Sequence, residues 1–409
     1  MKRYTITQPK TFEWIFVVVS LIMITGGFTQ NGILPRIPIT LIRLAAVAIS
    51  FFYIYKDRHL YLKLITIDRV FFVFCAYSAV SLLWSVNFLY SLDSVIWFLL
   101  IVAFAMYMSV RYTLVEIVQL LFFTLLVSAI LSIIFLIIMP NSALMVEGNR
   151  SGALRGIFEH KQNLSKFMGM GLILSIFFFR YIHKSIFLQL ASIALFGYTL
   201  LAAEGVTSLL AAVVMVPFVA FLTLRAWRHL AFAGLLILAV LATIYLGALV
   251  VANLSSILDT LGRNPTLSSR LPIWEVSWYL IQERLWFGYG LEAALVSSLS
   301  LDVNLQWQAV HAHNGWLDLW LSFGIVGLSL FVFTVLRSVW RGLVYTAASG
   351  ETLYTFPIAY LMYVLVHSFS TSPLVTTPDL IFTLYVVVQL KLGLEFYDRS
   401  KQKVKRLVF

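Results

Sequence analysis

Residues Gln308 to Gly327 read QAVHAHNGWLDLWLSFGIVG. This segment sets two histidines, an amide and a carboxylate at the point where a membrane helix begins. Ionisable groups at such a point are costly and tend to be functional. Upstream lies a polar stretch of about sixty residues, the longest in the protein, and a long ordered connection in an otherwise compact chain is more often functional than idle. The active site is therefore expected in and after that stretch.

The rest of the chain explains why the helix is a membrane helix. Hydrophobic residues make up 61% of the sequence and charged residues only 11%, the composition of a polytopic membrane protein. A bilayer core takes roughly 20 apolar residues per helix, and about twelve runs of that kind can be marked. They begin near Glu13, Ile37, Arg69, Ser94, Leu114, Leu164, Ser185, Val206, Leu230, Gly324, Leu353 and Pro378. The expected fold class is all-α. It is a polytopic integral membrane protein, residues 1–409 forming a single membrane domain, with an extracytoplasmic loop over residues 253–313 between the ninth and tenth spans. The only cysteine, Cys75, lies in an apolar run, so no intramolecular disulfide is possible.

The net charge of +11 does not indicate nucleic acid, because no soluble domain carries a basic cluster. Threading with both termini in the cytoplasm puts Lys2, Arg3, Lys10, Lys56, Arg58, Lys63, Arg69, Arg111, Arg180, Lys184, Arg225, Arg228, Arg337 and Arg341 inside, together with Lys391, Arg399, Lys401, Lys403, Lys405 and Arg406 of the tail. About twenty of the 29 basic residues then lie on one side, as the positive-inside rule requires. The tail run KQKVKR reads as an anchor to anionic lipid.

Most of the remaining basic residues fall in two external loops. Residues Asn141 to Asn163 supply Arg150, Arg155, His160 and Lys161, with Lys166 just inside the next helix. The second loop supplies Arg263, Arg270 and Arg284. Within it, RLPIWEVSWYLIQERLWF (Arg270 to Phe287) places Leu271, Trp274, Trp278, Ile281 and Leu285 at helical spacing. Ser268 or Ser269 is in position to cap the helix, and Pro272 suits its first turn. Such an amphipathic helix lies along the outer interface with its tryptophans in the headgroup layer.

Phosphate loops, zinc pairs, Cys/His clusters and Asp-x-Asp pairs are all missing from the sequence, so no cofactor is expected. What remains is arginine, lysine and histidine on the outer face. Arginine offers a planar fork of donors that matches phosphate oxygens, and histidine removes protons near neutral pH. Together they suggest metal-independent group transfer from a lipid diphosphate to a hydroxyl. Each such residue also has a simpler reading: an arginine at a bilayer edge contacts headgroups, and Asn314 and Asp318 serve as a helix cap and a polar face. His367, Ser368 and Ser370 near the end of the eleventh run bond back to their own helix, and Glu204 stands in a short exposed turn.

Three blocks carry a family resemblance: LRGIFEHKQNLSKFMGMG (Leu154 to Gly171), LSSRLPIWEVSWYLIQERLWFGYG (Leu267 to Gly290) and HAHNGWLDLWLSFGIVGL (His311 to Leu328). In order and spacing they resemble the family of O-antigen ligases and Wzy-type polysaccharide polymerases, and within it the ExoQ-like exopolysaccharide polymerase branch. The resemblance implies a GT-C-like membrane glycosyltransferase of the bacterial inner membrane, with its active site extracytoplasmic. It implies an undecaprenyl-diphosphate-linked oligosaccharide as donor. For a polymerase the acceptor is another lipid-linked glycan; for a ligase it is lipid A core or a protein. A flippase and a chain-length regulator are the implied partners.

Carried onto this sequence, the resemblance makes Arg155 and Arg270 the diphosphate-binding residues and His313 the catalytic base. Lys161 and Asn163, with His160 beside them, line the donor site. His311, Asn314 and Asp318 stand next to the base, the last two placed to orient it. A glycan flippase or other secondary transporter is the alternative of a different class. Against it, the sequence has no internal repeat and its outer charges gather in two loops on one side.

Overall fold

The computed structural model describes residues 11–28, 35–146, 152–223, 270–298, 310–349, 351–372, 374 and 379–408. Among the described residues the regular structure is helical, and a single bridge, Leu144 to Leu154, is extended. The helices, numbered here in chain order, are α1 (Thr11–Ile24), α2 (Arg36–Lys56), α3 (Arg58–Ile67), α4 (Arg69–Val80), α5 (Phe88–Arg111), α6 (Leu114–Ile138), α7 (Pro140–Ala143) and α8 (Lys161–Phe177). They continue with α9 (Ile186–Ala202), α10 (Val206–Thr223), α11 (Leu271–Glu283), α12 (Ala293–Ser298), α13 (Gly315–Ser349), α14 (Phe356–Ser368) and α15 (Leu380–Val408).

Each apolar run marked from the sequence falls on one of these helices except that near Leu230, which lies outside the described residues, as do Arg150, Arg263, Ser268 and Ser269. Among the described residues six helices, α2, α5, α6, α10, α13 and α15, are long and apolar enough to cross a membrane. The number is seven if α3 and α4, bent by 94° at Asp68, form one broken span. Helices α1 and α9 are apolar but shorter. The protein is thus an all-helical polytopic membrane protein.

The run expected from Gly324 begins earlier, at Gly315, and is broken at Gly324 instead of starting there. Gly324 has φ +63° and ψ −171°. The backbone groups around this break pair with the stretch that follows α11. Ile325 N–H donates to the Leu285 carbonyl (2.8 Å), Tyr289 N–H to Leu321 (2.8 Å) and Gly290 N–H to Ser322 (3.0 Å). Irregular backbone at membrane depth is tolerated only where protein satisfies it in this way. A Cβ at position 324 would stand 2.2 Å from the Trp286 carbonyl, so both φ and space require glycine. Gly324→Ala is expected to destabilise the protein by about 2–4 kcal/mol, read as a lower unfolding temperature in detergent. An unchanged melting curve would show that this break does not hold α11 in place.

Aromatic packing joins the long helices. Phe74 of α4 contacts Phe98 of α5 and Phe331 of α13, with ring centroids at 6.1 and 5.5 Å. Phe98 stacks on Phe382 of α15 at 5.3 Å, and Phe331 meets Tyr385 at 5.4 Å. Where lipid removes the hydrophobic driving force, close contact of this kind and hydrogen bonding must hold the helices. Gly171 contributes by its small size: a Cβ there would meet the Phe196 ring of α9 at 2.5 Å.

Ion pairs fasten one end of the bundle. Arg111 bonds Glu13 through Nε and a terminal nitrogen, both at 2.8 Å. Arg341 meets Asp68 at 2.6 Å, and Lys391 donates to the carbonyl of Tyr112 at 2.7 Å. Helices α13 and α15 therefore begin at the opposite end, where the candidate site lies.

Candidate active site

The histidine segment is built around a pinned peptide. The Ala312 side chain is fully buried. Its N–H donates to Asp318 Oδ1 at 2.7 Å, and its carbonyl accepts from Trp274 Nε1 of α11 at 3.0 Å. His313, the next residue, has φ +52°, a left-handed conformation that a non-glycine residue adopts at a cost and that recurs at functional sites. Asn314 then caps α13, its Oδ1 accepting from Trp316 N–H at 3.0 Å and Leu317 N–H at 3.4 Å. Gly315 N–H donates to the Thr371 carbonyl at 3.0 Å. With Ala312 held inward, His311 and His313 flank it half-buried, their rings edge to face at 4.2 Å.

Helix α11 brings Arg270 to this pair. The helix starts one residue later, so Arg270 itself is the N-cap, with no side-chain cap bond, and Pro272 sits in the first turn as expected. The apolar row marked from the sequence is divided between the two faces of the helix. Ile273, Ser277, Leu280 and Ile281 face inward, whereas Trp278 and Leu285 are exposed. The reason is polar satisfaction: Trp274 gives its N–H to Ala312, so the helix rotates that edge toward α13 and leaves Trp278, Tyr279 and Trp286 on the outside. Trp278 packs edge to face on Trp320 at 5.8 Å.

Burial, with the positive charges of Lys166 and Arg270 beside it, holds His311 below the usual histidine range. The ring therefore favours its neutral form. His311 Nδ1 is buried without a hydrogen-bond partner, as are Trp316 Nε1 and both ring nitrogens of His367.

A second group gathers at the start of α8. His160 is its N-cap, with Nδ1 accepting from Gln162 N–H at 3.1 Å. Lys161 pairs with Glu204 at 3.7 Å, and Asn163 is half-buried in the first turn. Arg155 donates from Nε to the Ser142 carbonyl at 3.0 Å, so its guanidinium is oriented by the α6–α8 connection and not by α11. The structure thus brings Arg270, His311, His313, Asn314 and Asp318 together, and sets His160, Lys161 and Asn163 at the start of α8 with Arg155 in the connection before it. Lys166 of α8 links the two.

Three residues outside the expected site belong here. Glu204 is the exposed turn residue expected from the sequence, and it also pairs with Lys161 and has φ +49°. Lys166 pairs with Asp379 at 3.0 Å, the two side chains being 6% and 15% exposed. Their signal was present: an ionisable residue one turn inside an apolar run is a functional-site hypothesis by default. Among the described residues, no three His, Cys, Asp or Glu side chains are grouped closely enough to hold a metal ion.

No curated protein sequence matches the chain. Residues 190–332 match the family model described as O-antigen ligase. The matched region runs from α9 into α13 and carries Arg270, His311, His313, Asn314 and Asp318, while Arg155, His160, Lys161, Asn163 and Lys166 precede it. Through this region the chain is similar to the O-antigen ligase family, and the similarity supports a polymerase- or ligase-type role in glycan biosynthesis.

Proposed function

We propose that the protein polymerises undecaprenyl-diphosphate-linked oligosaccharide repeat units by inverting glycosyl transfer, at the outer face of the bacterial inner membrane, in exopolysaccharide or O-antigen biosynthesis. The observation that carries this reading is Arg270 beside His311, whose ring packs against that of the left-handed His313, inside the family-matched region. Within the family the ExoQ-like branch is the one we favour.

The acceptor hydroxyl oxygen attacks the anomeric carbon of the donor sugar from the face opposite the diphosphate. As that bond forms, the bond between the anomeric carbon and the phosphate oxygen breaks, and its electron pair leaves with the lipid diphosphate. His313 takes the hydroxyl proton, a role suited to an imidazole near neutrality. Arg270, with Arg155 from the neighbouring group, holds the departing diphosphate without a metal, and its planar fork matches two phosphate oxygens at once. Asp318 fixes the backbone at Ala312 and so orients both histidines. Lys161 and Asn163 line the donor path.

The extracytoplasmic placing of this site rests on charge. Arg111, Arg337, Arg341 and Lys391 cluster at the far end of α13 and α15, which fits a cytoplasmic face and cytoplasmic termini. The second reading, transfer to lipid A core or protein, is favoured by the description of the matched family model itself. Purified protein given only lipid-linked oligosaccharide should build a ladder of longer lipid-linked products, and the ladder should persist in excess chelator. A single addition to lipid A core without a ladder favours the ligase. No transfer to either acceptor overturns the proposal, and full inhibition by chelator would move the diphosphate from arginine to a metal.

A further inference from the structure

We propose that α3 is an interfacial helix that binds anionic phospholipid, its Arg58 and the adjoining Arg69 of α4 taking the headgroup phosphates. This surface lies at the end of the bundle opposite the candidate active site and serves no step of the glycosyl transfer.

Helix α4 runs with the bundle, its Phe74 packed against Phe98 of α5 and Phe331 of α13, and α3 is bent from it by 94°. Helix α3 therefore lies across the end of the bundle, in the plane that a membrane surface takes there. Both of its ends are held. The Asp57 N–H donates to the Tyr53 carbonyl at 2.9 Å, and the Ile67 carbonyl accepts from Arg337 at 2.9 Å and from Arg341 at 3.1 Å. Between them Lys63 meets Asp398 of α15 at 3.0 Å and stands over the Tyr397 ring at 4.6 Å. That contact fastens α3 to α15 just before the basic KQKVKR run of the tail.

Helical spacing sorts the residues of α3 onto two faces. Tyr61, Leu64 and Ile67 are buried against the bundle, whereas Arg58, Leu62 and Ile65, at i, i+4 and i+7, are exposed. Leu62 is 61% exposed and Ile65 37%. The exposed row follows directly on Phe52 and Tyr55, the exposed aromatic residues that end the lipid-facing side of α2. An aliphatic pair left outside on an in-plane helix suits the boundary between headgroups and acyl chains. There an arginine stem lies along the same apolar surface while its guanidinium reaches the phosphate layer.

Charge selects the lipid. Between Lys56 and Arg69, Lys63 is committed to Asp398, and Asp68 is buried against Arg337 and Arg341. Arg58 and Arg69 are exposed, and among the described residues neither is within ion-pair distance of a carboxylate. Asp57, half-buried at the corner, is the one carboxylate of the segment left to balance Lys56, Arg58 and Arg69. Such a surplus favours phosphatidylglycerol, whose phosphate charge is uncompensated, over phosphatidylcholine, whose own ammonium cancels it. Each basic residue at a membrane surface raises the preference by about fivefold.

The test uses the full-length protein carrying Cys75→Ala and Leu62→Cys, labelled with a fluorophore and held in nanodiscs. Phosphatidylglycerol or phosphatidylcholine with a nitroxide near the top of its acyl chain is the quencher. Phosphatidylglycerol should quench with an apparent affinity about tenfold or more above phosphatidylcholine. Arg58→Gln with Arg69→Gln should reduce that preference by about fivefold for each arginine, and Arg58→Lys with Arg69→Lys should keep it. If Leu62→Cys fails to fold, Ile65→Cys gives the same reading from the next turn. Equal quenching by the two lipids overturns the proposal. Quenching by aqueous iodide and by neither lipid also overturns it, and gives the row to a soluble protein partner.

Discussion

Replacing His313 by alanine is expected to leave membrane insertion and donor binding intact while turnover falls by about two orders of magnitude or more. A sugar hydroxyl is a poor nucleophile, and losing the group that takes its proton removes assistance that acts only as the bond to the anomeric carbon forms. The fold should tolerate the change. His313 holds its left-handed backbone between the pinned Ala312 peptide and the Asn314 cap, neither of which uses the imidazole. His311→Ala should be milder, because its ring supports His313 edge to face and does not itself take the proton. Single-turnover rates on the purified variants measure this directly. A dead His311→Ala with an active His313→Ala would exchange the two roles.

Burial also gives the sign of the pH effect. Because burial holds His311 below the usual histidine range, its ring should stay neutral as pH falls to about 6.5, the ordinary histidine value, and take up its proton only below it. Titration of the His311 imidazole by NMR checks this, and a midpoint above that value would contradict it.

The second large effect is expected at Arg270. Arg270→Lys keeps the charge but replaces a planar fork by a single ammonium, which cannot bond two phosphate oxygens in parallel. A charged hydrogen bond is worth roughly 1.5–3 kcal/mol, so kcat/KM should drop about tenfold or more. Most of the drop should lie in donor binding and departure of the diphosphate, with insertion unchanged. The variant keeps the start of α11 intact, since Arg270 caps that helix through its backbone and not its side chain. A wild-type rate in Arg270→Lys would take the diphosphate away from this residue. Arg155 offers the comparison: its Nε is bonded to the Ser142 carbonyl, so loss of Arg155 should cost both donor binding and the local fold of the α6–α8 connection.

Much of this was legible in the sequence because membranes impose simple rules. A run of apolar residues long enough to span must be helical, since lipid offers nothing to an unpaired peptide group. The marked runs accordingly fall on helices throughout the described residues. Basic residues in the two loops expected outside drew attention to those loops, and the family resemblance then singled out Arg155, Arg270 and His313 within and after them. The match of residues 190–332 to the O-antigen ligase model agrees with the family that those blocks resemble.

What the sequence left open depends on contacts between segments far apart in the chain. Hydrophobic spacing could not say which edge of α11 turns inward, because Trp274 and Trp278 are equally apolar and only the Ala312 carbonyl distinguishes them. It could not show that Gly324 breaks a helix instead of beginning one, since the break is stabilised by the carbonyls of residues 285–286, nearly forty positions earlier. It gave no partner to Lys161, Lys166 or Asp379. Sequence alone determined the helical membrane class, the basic asymmetry and the residue types of the site, because periodicity and charge are local properties. The tertiary structure alone decided that Lys166 meets Asp379, that Arg270 meets the histidines, and that Arg155 stands in a separate group, because each depends on how helices cross.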